Sequence, residues 1–367
     1  MAYGHFVFYA PFGGPTGGTN FYTLGIGDSG QLLGYSTGSG PILMDSKFPG
    51  GFSAFLAGIS ASGIATTMNL QGQVVGSLQM PASGTSQYEA FVWNAGALTR
   101  IGVLNPGESS TATAINNWSE VVGFSEPPSP IYFSIVPREL ATAAAFLWKT
   151  GTLYNLNQLL PPTTDWRLST ASAINDLGQI VGIGLKAGKT NGFIFNNGTV
   201  TDLGLSGTNL QVTGINNWGE VVGSVNGRAF FWSDGVLRDL NDPAPPNPAW
   251  VLQTAAGIND RGQIAGRGLS TPPPSGAQEW YSSNAVYRLT PVTSRRFEIH
   301  QTPSPLSVTL RIQYLGTTSN SFGLQSSTNL TGWTTIFTNG PVPGVTTVFE
   351  TNNLGSASKF YRLVRLD

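Results

Sequence analysis

Apolar residues in this chain fall in short runs broken by Gly, Asn, Asp and Pro, and no window sustains the i, i+3, i+4, i+7 spacing of an amphipathic helix. The pattern predicts short β-strands throughout. Glu139–Trp148 is the one stretch that could tempt a helix, and its end repeats a strand phrase found elsewhere, so it reads as a loop followed by a strand.

One phrase recurs along the chain. Its clearest copies are Ile174–Gly182 (INDLGQIVG) and Ile215–Gly223 (INNWGEVVG), followed by Ile258–Gly266, Ile115–Gly123, Met68–Gly76 and the degenerate Ile26–Gly34. The closing glycines stand at 34, 76, 123, 182, 223 and 266, which sets a unit of about forty-two residues with insertions in two copies. A second phrase follows the first in Ala90–Trp93, Ala145–Trp148, Gly192–Phe195 and Ala229–Trp232, and more weakly in Ala54–Leu56 and Ala285–Tyr287. A Gly and an apolar pair come next, as in Gly198–Leu203 and Gly235–Leu240, so each unit holds four short extended segments.

In Asn175-Asp176-Leu177-Gly178, Asn and Asp side chains cap a turn and Gly takes positive φ, which is a tight hairpin. The strand before it is built from Ala, Ser, Thr and Gly (Thr111–Ala114, Thr170–Ala173, Thr254–Gly257), as strands crowded around a central axis require. The Val, Ile, Phe and Trp of the later strands then supply faces that stack between neighbouring sheets. A lone four-stranded sheet cannot bury both faces, so the expected fold is all-β: a β-propeller over residues 1–291. An open solenoid would need a shorter repeat. Six blades are expected. Seven is the alternative, because the chain opens on a half-unit in which His5–Phe8 matches the second phrase and Tyr22–Gly25 the third.

Residues 292–367 carry no copy of the repeat and hold six basic and three acidic residues, the reverse of the balance upstream. Strands are predicted at 307–315, 321–326, 333–338, 346–351 and 359–365, which suggests a small separate β-sandwich.

Charge narrows the functional classes. Only 10% of residues are charged and the net charge is -1, so there is no basic stripe for nucleic acid phosphates. No apolar run is long enough for a membrane-spanning helix, and the lack of cysteine excludes disulfides and thiol chemistry. Met1–Gly14 shows neither the basic nor the apolar region of an export signal.

The alternation of the Ile-Asn-Asp-x-Gly-Gln-Ile-Val-Gly phrase with Ala-Phe-x-Trp over residues 5–291 resembles the HAF family of extracellular repeats. This chain departs from that family in retaining His before the aromatic phrase only at His5. The phrase Phe322–Trp333, with Phe360-Tyr361-Arg362 near the end, resembles C-terminal modules of exported proteins from Verrucomicrobia and related bacteria. Both resemblances imply an extracellular or cell-surface location.

Candidate chemistry is sparse. His5 and His300 are the only histidines, and each reads as an ordinary strand or surface residue rather than a metal ligand or triad member. The repeat acids Glu120, Asp176, Glu220 and Asp260 lie in or beside hairpins, where they have a folding role, whereas Glu126, Glu139, Asp165, Asp242 and Glu279 stand singly in insertions. No cofactor is expected. Calcium at the Asn and Asp turns stays open, although no copy has the dense acid spacing of a calcium loop.

The expectation is a non-catalytic binding or scaffold module for a polysaccharide or another envelope protein. The alternative is a glycan hydrolase or lyase, which would need paired carboxylates. The predicted ligand surface is the face opposite the hairpins, where the insertions collect: Tyr132, Arg138, Glu279 and Trp280 in two loops, and Asp165, Trp166 and Trp250 in two Pro-rich crossovers. Trp118 and Trp218, in the hairpins themselves, read as packing residues.

Overall fold

The computed structural model describes residues 21–26, 32–36, 40–44, 63–80, 87–128, 137, 139–207, 209–242, 250–270, 284–289, 294–301, 307–315, 321–327, 334–339, 344–351 and 360–366. The contacts divide the chain into two units, Met1–Leu289 and Thr290–Asp367.

Unit 1 is a series of antiparallel sheets, each built from strands consecutive in sequence. The first comprises β1 (Phe21–Ile26), β2 (Leu32–Ser36) and β3 (Gly40–Met44). The second comprises β4 (Ile64–Met68), β5 (Val74–Gln79), β6 (Tyr88–Asn94) and β7 (Ala97–Gly102). The third comprises β8 (Ser109–Ile115), β9 (Val121–Glu126), β10 (Ala144–Lys149) and β11 (Thr152–Asn155). After a 3-10 turn at Leu156–Leu159, the fourth has β12 (Trp166–Ile174), β13 (Ile180–Lys186), β14 (Lys189–Asn196) and β15 (Thr199–Asp202). The fifth has β16 (Gln211–Ile215), β17 (Val221–Val225), β18 (Arg228–Ser233) and β19 (Val236–Asp239). The sixth has β20 (Trp250–Ile258), β21 (Ile264–Ser270) and β22 (Asn284–Leu289).

In the second to fifth sheets the four extended segments read in each repeat are therefore the four strands of one sheet, while three strands of the first and of the sixth are described, and Glu139–Trp148 is a turn leading into β10. Tyr22–Gly25, expected as the last strand of an opening half-unit, instead lies in β1 and pairs with β2 as the first strand of a sheet. His5–Phe8 lies outside the described residues.

The first strand of each sheet lies against the preceding sheet: β8 touches β4, β5 and β6, and β12 touches β8, β9 and β10. Likewise β16 touches β12 and β13, and β20 touches β16, β17 and β18. The paired apolar residues of the repeated phrase explain this stacking, because successive strand residues point to opposite faces. Val121 joins a core shared with the sheet before it, while Val122 joins the core shared with the sheet after it. Val74 and Val75, Ile180 and Val181, and Val221 and Val222 divide in the same way, so each apolar pair supplies two cores.

The closing glycine of the phrase has a separate cause. A Cβ on Gly123, Gly182 or Gly223 would overlap the backbone oxygen of Thr111, Thr170 or Gln211 and the ring of Phe146, Phe193 or Phe230. The two recurrent phrases thus meet in space: the aromatic of the second lies over the glycine of the first. In the sixth sheet Tyr287 takes that place, and its hydroxyl donates to the Thr254 carbonyl at 3.0 Å. Burial pushes the Tyr287 phenol well above its ordinary range.

Unit 2 contains two three-stranded antiparallel sheets. One orders β23 (Ser294–Gln301), β24 (Ser307–Leu315) and β27 (Gly344–Thr351), and the other orders β26 (Thr334–Asn339), β25 (Ser321–Ser327) and β28 (Phe360–Leu366). The five strands read from sequence are present within two residues of their expected bounds. β23 was not expected, because its Arg295-Arg296 start resembles a polar linker.

Candidate functional site

Two features of unit 1 could receive a ligand: a cavity along its first strands, and a groove on the hairpin side. Both are built by the repeat. Each first strand carries a β-bulge, seen as register shifts at Ala65/Thr67, Ala112/Ala114, Ala171/Ala173, Val212/Gly214 and Ala255/Gly257. A bulge leaves one residue unpaired and re-aims its side chain. Here the extra residues are Thr66, Thr113, Ser172, Thr213 and Ala256, and all five line one cavity of about 1190 Å³. Three of them also join sheets: the hydroxyls of Thr66, Thr113 and Thr213 donate to the carbonyls of Ala112, Ala171 and Ala255 in the next sheet at 2.8, 2.6 and 2.6 Å. Among the described residues the polar side chains of this lining are neutral hydroxyls and amides, with Thr67, Thr170, Thr190, Asn209 and Gln211 completing the set.

The hairpins form a second inter-sheet ladder. Asn116 accepts the N–H groups of Trp118 and Glu120 through Oδ1, which shapes its own turn. Its Nδ2 donates to the Glu120 carboxylate at 2.7 Å and onward to the carbonyl of Asn175, the equivalent residue of the next sheet, at 3.1 Å. Asn175 repeats the arrangement toward Asn216, and Asn216 toward Asn259. The following residue adds a rung: Asp176 accepts both the backbone N–H and the Nδ2 of Asn117, and Asp260 does the same for Asn217. The repeat acids therefore have structural roles, as their positions beside the hairpins suggested.

Because the hairpins bond in series, they share one side of unit 1, and in the third and fourth sheets the third residue of the turn is left outermost. Trp118 is 73% exposed and Leu177 66% exposed. The reading of Trp118 as a packing residue is thus corrected: its indole Nε1–H donates to the Asp176 carbonyl at 2.9 Å, and the ring stands in solvent. Trp218 makes the equivalent bond to Asp260 and is half-buried. Trp118, Glu120, Lys149 and Tyr154 of the third sheet, with Leu177 and Asn197 of the fourth, border a groove of about 710 Å³.

Of the residues expected to bind ligand, Trp166 and Asp165 are placed side chain and all. Trp166 opens β12, half-buried, with its ring edge-on to Phe193 at 6.2 Å and the Lys186 ammonium 5.8 Å from its centroid. It packs against the core between the third and fourth sheets. Asp165 is exposed, and its carbonyl accepts the Ala187 N–H. Trp250 opens β20 opposite Ser270, its side chain lying outside the described residues together with Tyr132, Arg138, Glu279 and Trp280.

Lys186 donates to Asp202 at 3.0 Å, and this hydrogen bond raises the lysine pKa. Burial works to raise the Asp239 carboxyl, but hydrogen bonds from Arg228 and Asn241 outweigh it and hold the group below its ordinary value. Among the described residues no three His, Cys, Asp or Glu converge as a metal cluster would, and no helix is long and apolar enough to cross a membrane.

The fold and site define an all-β protein of serially stacked antiparallel sheets. No protein-family model matches the chain, and no curated protein matches it.

Proposed function

We propose that unit 1 is a β-propeller whose sheets are its blades, that unit 2 is a β-sandwich, and that the protein is a non-catalytic binding module acting outside the cytoplasm on a polysaccharide. The observation that carries this reading is the lining of the first-strand cavity. Its polar groups among the described residues are neutral hydroxyls and amides, and three of the hydroxyls fasten one sheet to the next, which suits a rigid scaffold rather than acid–base chemistry. The carboxylates of the hairpins are likewise committed to backbone N–H groups and amide side chains. The resemblance to extracellular repeats and exported C-terminal modules supports the location, and the low charge suits an uncharged polymer better than nucleic acid.

The test is electrophoresis of the full chain through gels containing soluble polysaccharides, paired with a reducing-end assay on the same polymers. Retardation without release of reducing ends is the expected result. Release of new ends would replace this reading with a glycan hydrolase, and unsaturated products would indicate a lyase.

A further inference from the structure

We infer that the groove between the third and fourth sheets, on the hairpin side, is a saccharide-binding site in which a neutral pyranose ring stacks on Trp118. The inference rests on the binding-module reading above and assigns its ligand surface to the hairpin side.

The first observation is the exposed indole. A large aromatic side chain is normally among the strongest contributors to burial, and Trp118 forgoes this with 73% of its surface in solvent. Nor is it a loose surface residue. The bond from Nε1 to the Asp176 carbonyl fixes one edge of the ring on the neighbouring sheet, and that carbonyl belongs to a residue held by two bonds from Asn117. A platform fixed before the ligand arrives loses little freedom on binding. Stacking on such a ring suits a pyranose, which offers a face of C–H groups and a rim of hydroxyls.

The second observation is the polar border. Lys149 supplies an exposed ammonium with no ion-pair partner among the described residues, and Asn197 an exposed amide on the hairpin joining β14 to β15. Glu120 and Asp176 border the groove with carboxylates that have lone pairs beyond those used in the hairpin ladder. An acidic sugar would face those two carboxylates and a basic one the ammonium, whereas hydroxyls donate to the first and accept from the second without either repulsion. A volume of about 710 Å³ lies within the usual range of small-molecule sites, so a short stretch of a chain fits.

The ladder explains why the site occurs here. Among the described hairpins the third residue of the turn is Gln71, Trp118, Leu177, Trp218 or Arg261, and of these Trp218 and Arg261 are half-buried. Trp118 alone among these combines a planar aromatic with wide exposure.

The test uses the full chain and its W118A and W118F variants, titrated calorimetrically with neutral xylo-, cello-, manno- and laminari-oligosaccharides, with polygalacturonate for comparison. The wild type should bind at least one neutral oligosaccharide. W118A should weaken that binding about tenfold, in line with the loss of one aromatic stacking partner, and W118F should fall between. Because the side chain is exposed, the thermal midpoint of W118A should stay within about two degrees of the wild type. Neutral-glycan binding that W118A leaves unchanged would overturn this site while leaving the binding module intact. Binding of polygalacturonate alone would overturn the ligand class, and no binding of any glycan by the wild type would overturn both readings.

Discussion

Asn175 and Asn216 occupy the same position in successive hairpins, and the Nδ2 of the first donates to the carbonyl of the second at 2.9 Å. The same Asn175 side chain accepts the N–H groups of Leu177 and Gln179 and donates to the Gln179 amide oxygen. One side chain therefore shapes a turn and ties two sheets together. In Asn175→Ala the buried partners lose their bonds, and the expected loss of stability is about 2 to 4 kcal/mol. Urea denaturation followed by far-ultraviolet circular dichroism measures it. A loss below about 0.5 kcal/mol, the level of an ordinary surface change, would mean that the ladder does not hold the sheets together.

Gly182 sits where a methyl group would overlap both the Thr170 carbonyl and the Phe193 ring. Gly182→Ala should cost about 3 kcal/mol or more, through overpacking against groups that cannot move independently. Trimming the ring alone should not restore stability, because the backbone contact persists. A double variant with Phe193→Leu that recovers the wild-type midpoint would show that the ring, not the backbone, is the obstacle.

Thr113 contributes a hydroxyl from its bulge to the Val122 carbonyl of its own sheet and the Ala171 carbonyl of the next. Thr113→Val keeps the shape and removes both bonds, with an expected loss of about 1 kcal/mol, whereas Thr113→Ser should stay close to wild type. Thermal melts of the two variants distinguish them. Equal destabilisation would assign the effect to the methyl group.

Tyr287 gives a pH signature. Its folded-state pKa lies above the unfolded value of about 10, so the neutral phenol stabilises the fold fully below that pH. As pH rises beyond about 10 the unfolded chain ionises first, and this contribution declines. The melting midpoint of the wild type should therefore fall between about pH 9 and 11 more steeply than that of Tyr287→Phe, which matches the residue used in the neighbouring sheets. Parallel pH profiles would show that Tyr287 ionises in the folded state as readily as in the unfolded chain.

The crossovers rest on a paired device. Asn157 and Asn241 each donate through Nδ2 to a strand carbonyl, at Leu168 and Leu252, and each accepts that residue's N–H through Oδ1. Asn241→Ala leaves the buried Leu252 N–H and carbonyl without these bonds and should cost about 2 kcal/mol. Amide hydrogen exchange would locate the change: Leu252 should exchange much faster, while the β16–β17 hairpin keeps its protection. Unchanged protection at Leu252 would remove Asn241 from the support of β20.

The repeated phrase was enough to specify local structure, because its parts answer to short-range rules. Asn175-Asp176-Leu177-Gly178 closes a hairpin, Val121-Val122 alternates between two faces, and the small residues of Thr170–Ala173 fall in the first strand of a sheet. The strands of unit 2 were legible for the same reason, except β23, whose charged start concealed its pairing with β24. Tertiary structure decided what those residues do between units. The reach of Asn175 to Asn216, the overlap awaiting a methyl at Gly182, and the bulge that turns Thr113 into the cavity each join residues that are distant in sequence or depend on register. Exposure was decided there too. Trp118 and Trp166 are both tryptophans near a strand end, but Trp166 lies edge-on to Phe193 of its own sheet and against the core shared by the third and fourth sheets, whereas Trp118 stands in solvent, because only the tertiary packing determines which face of a residue is covered.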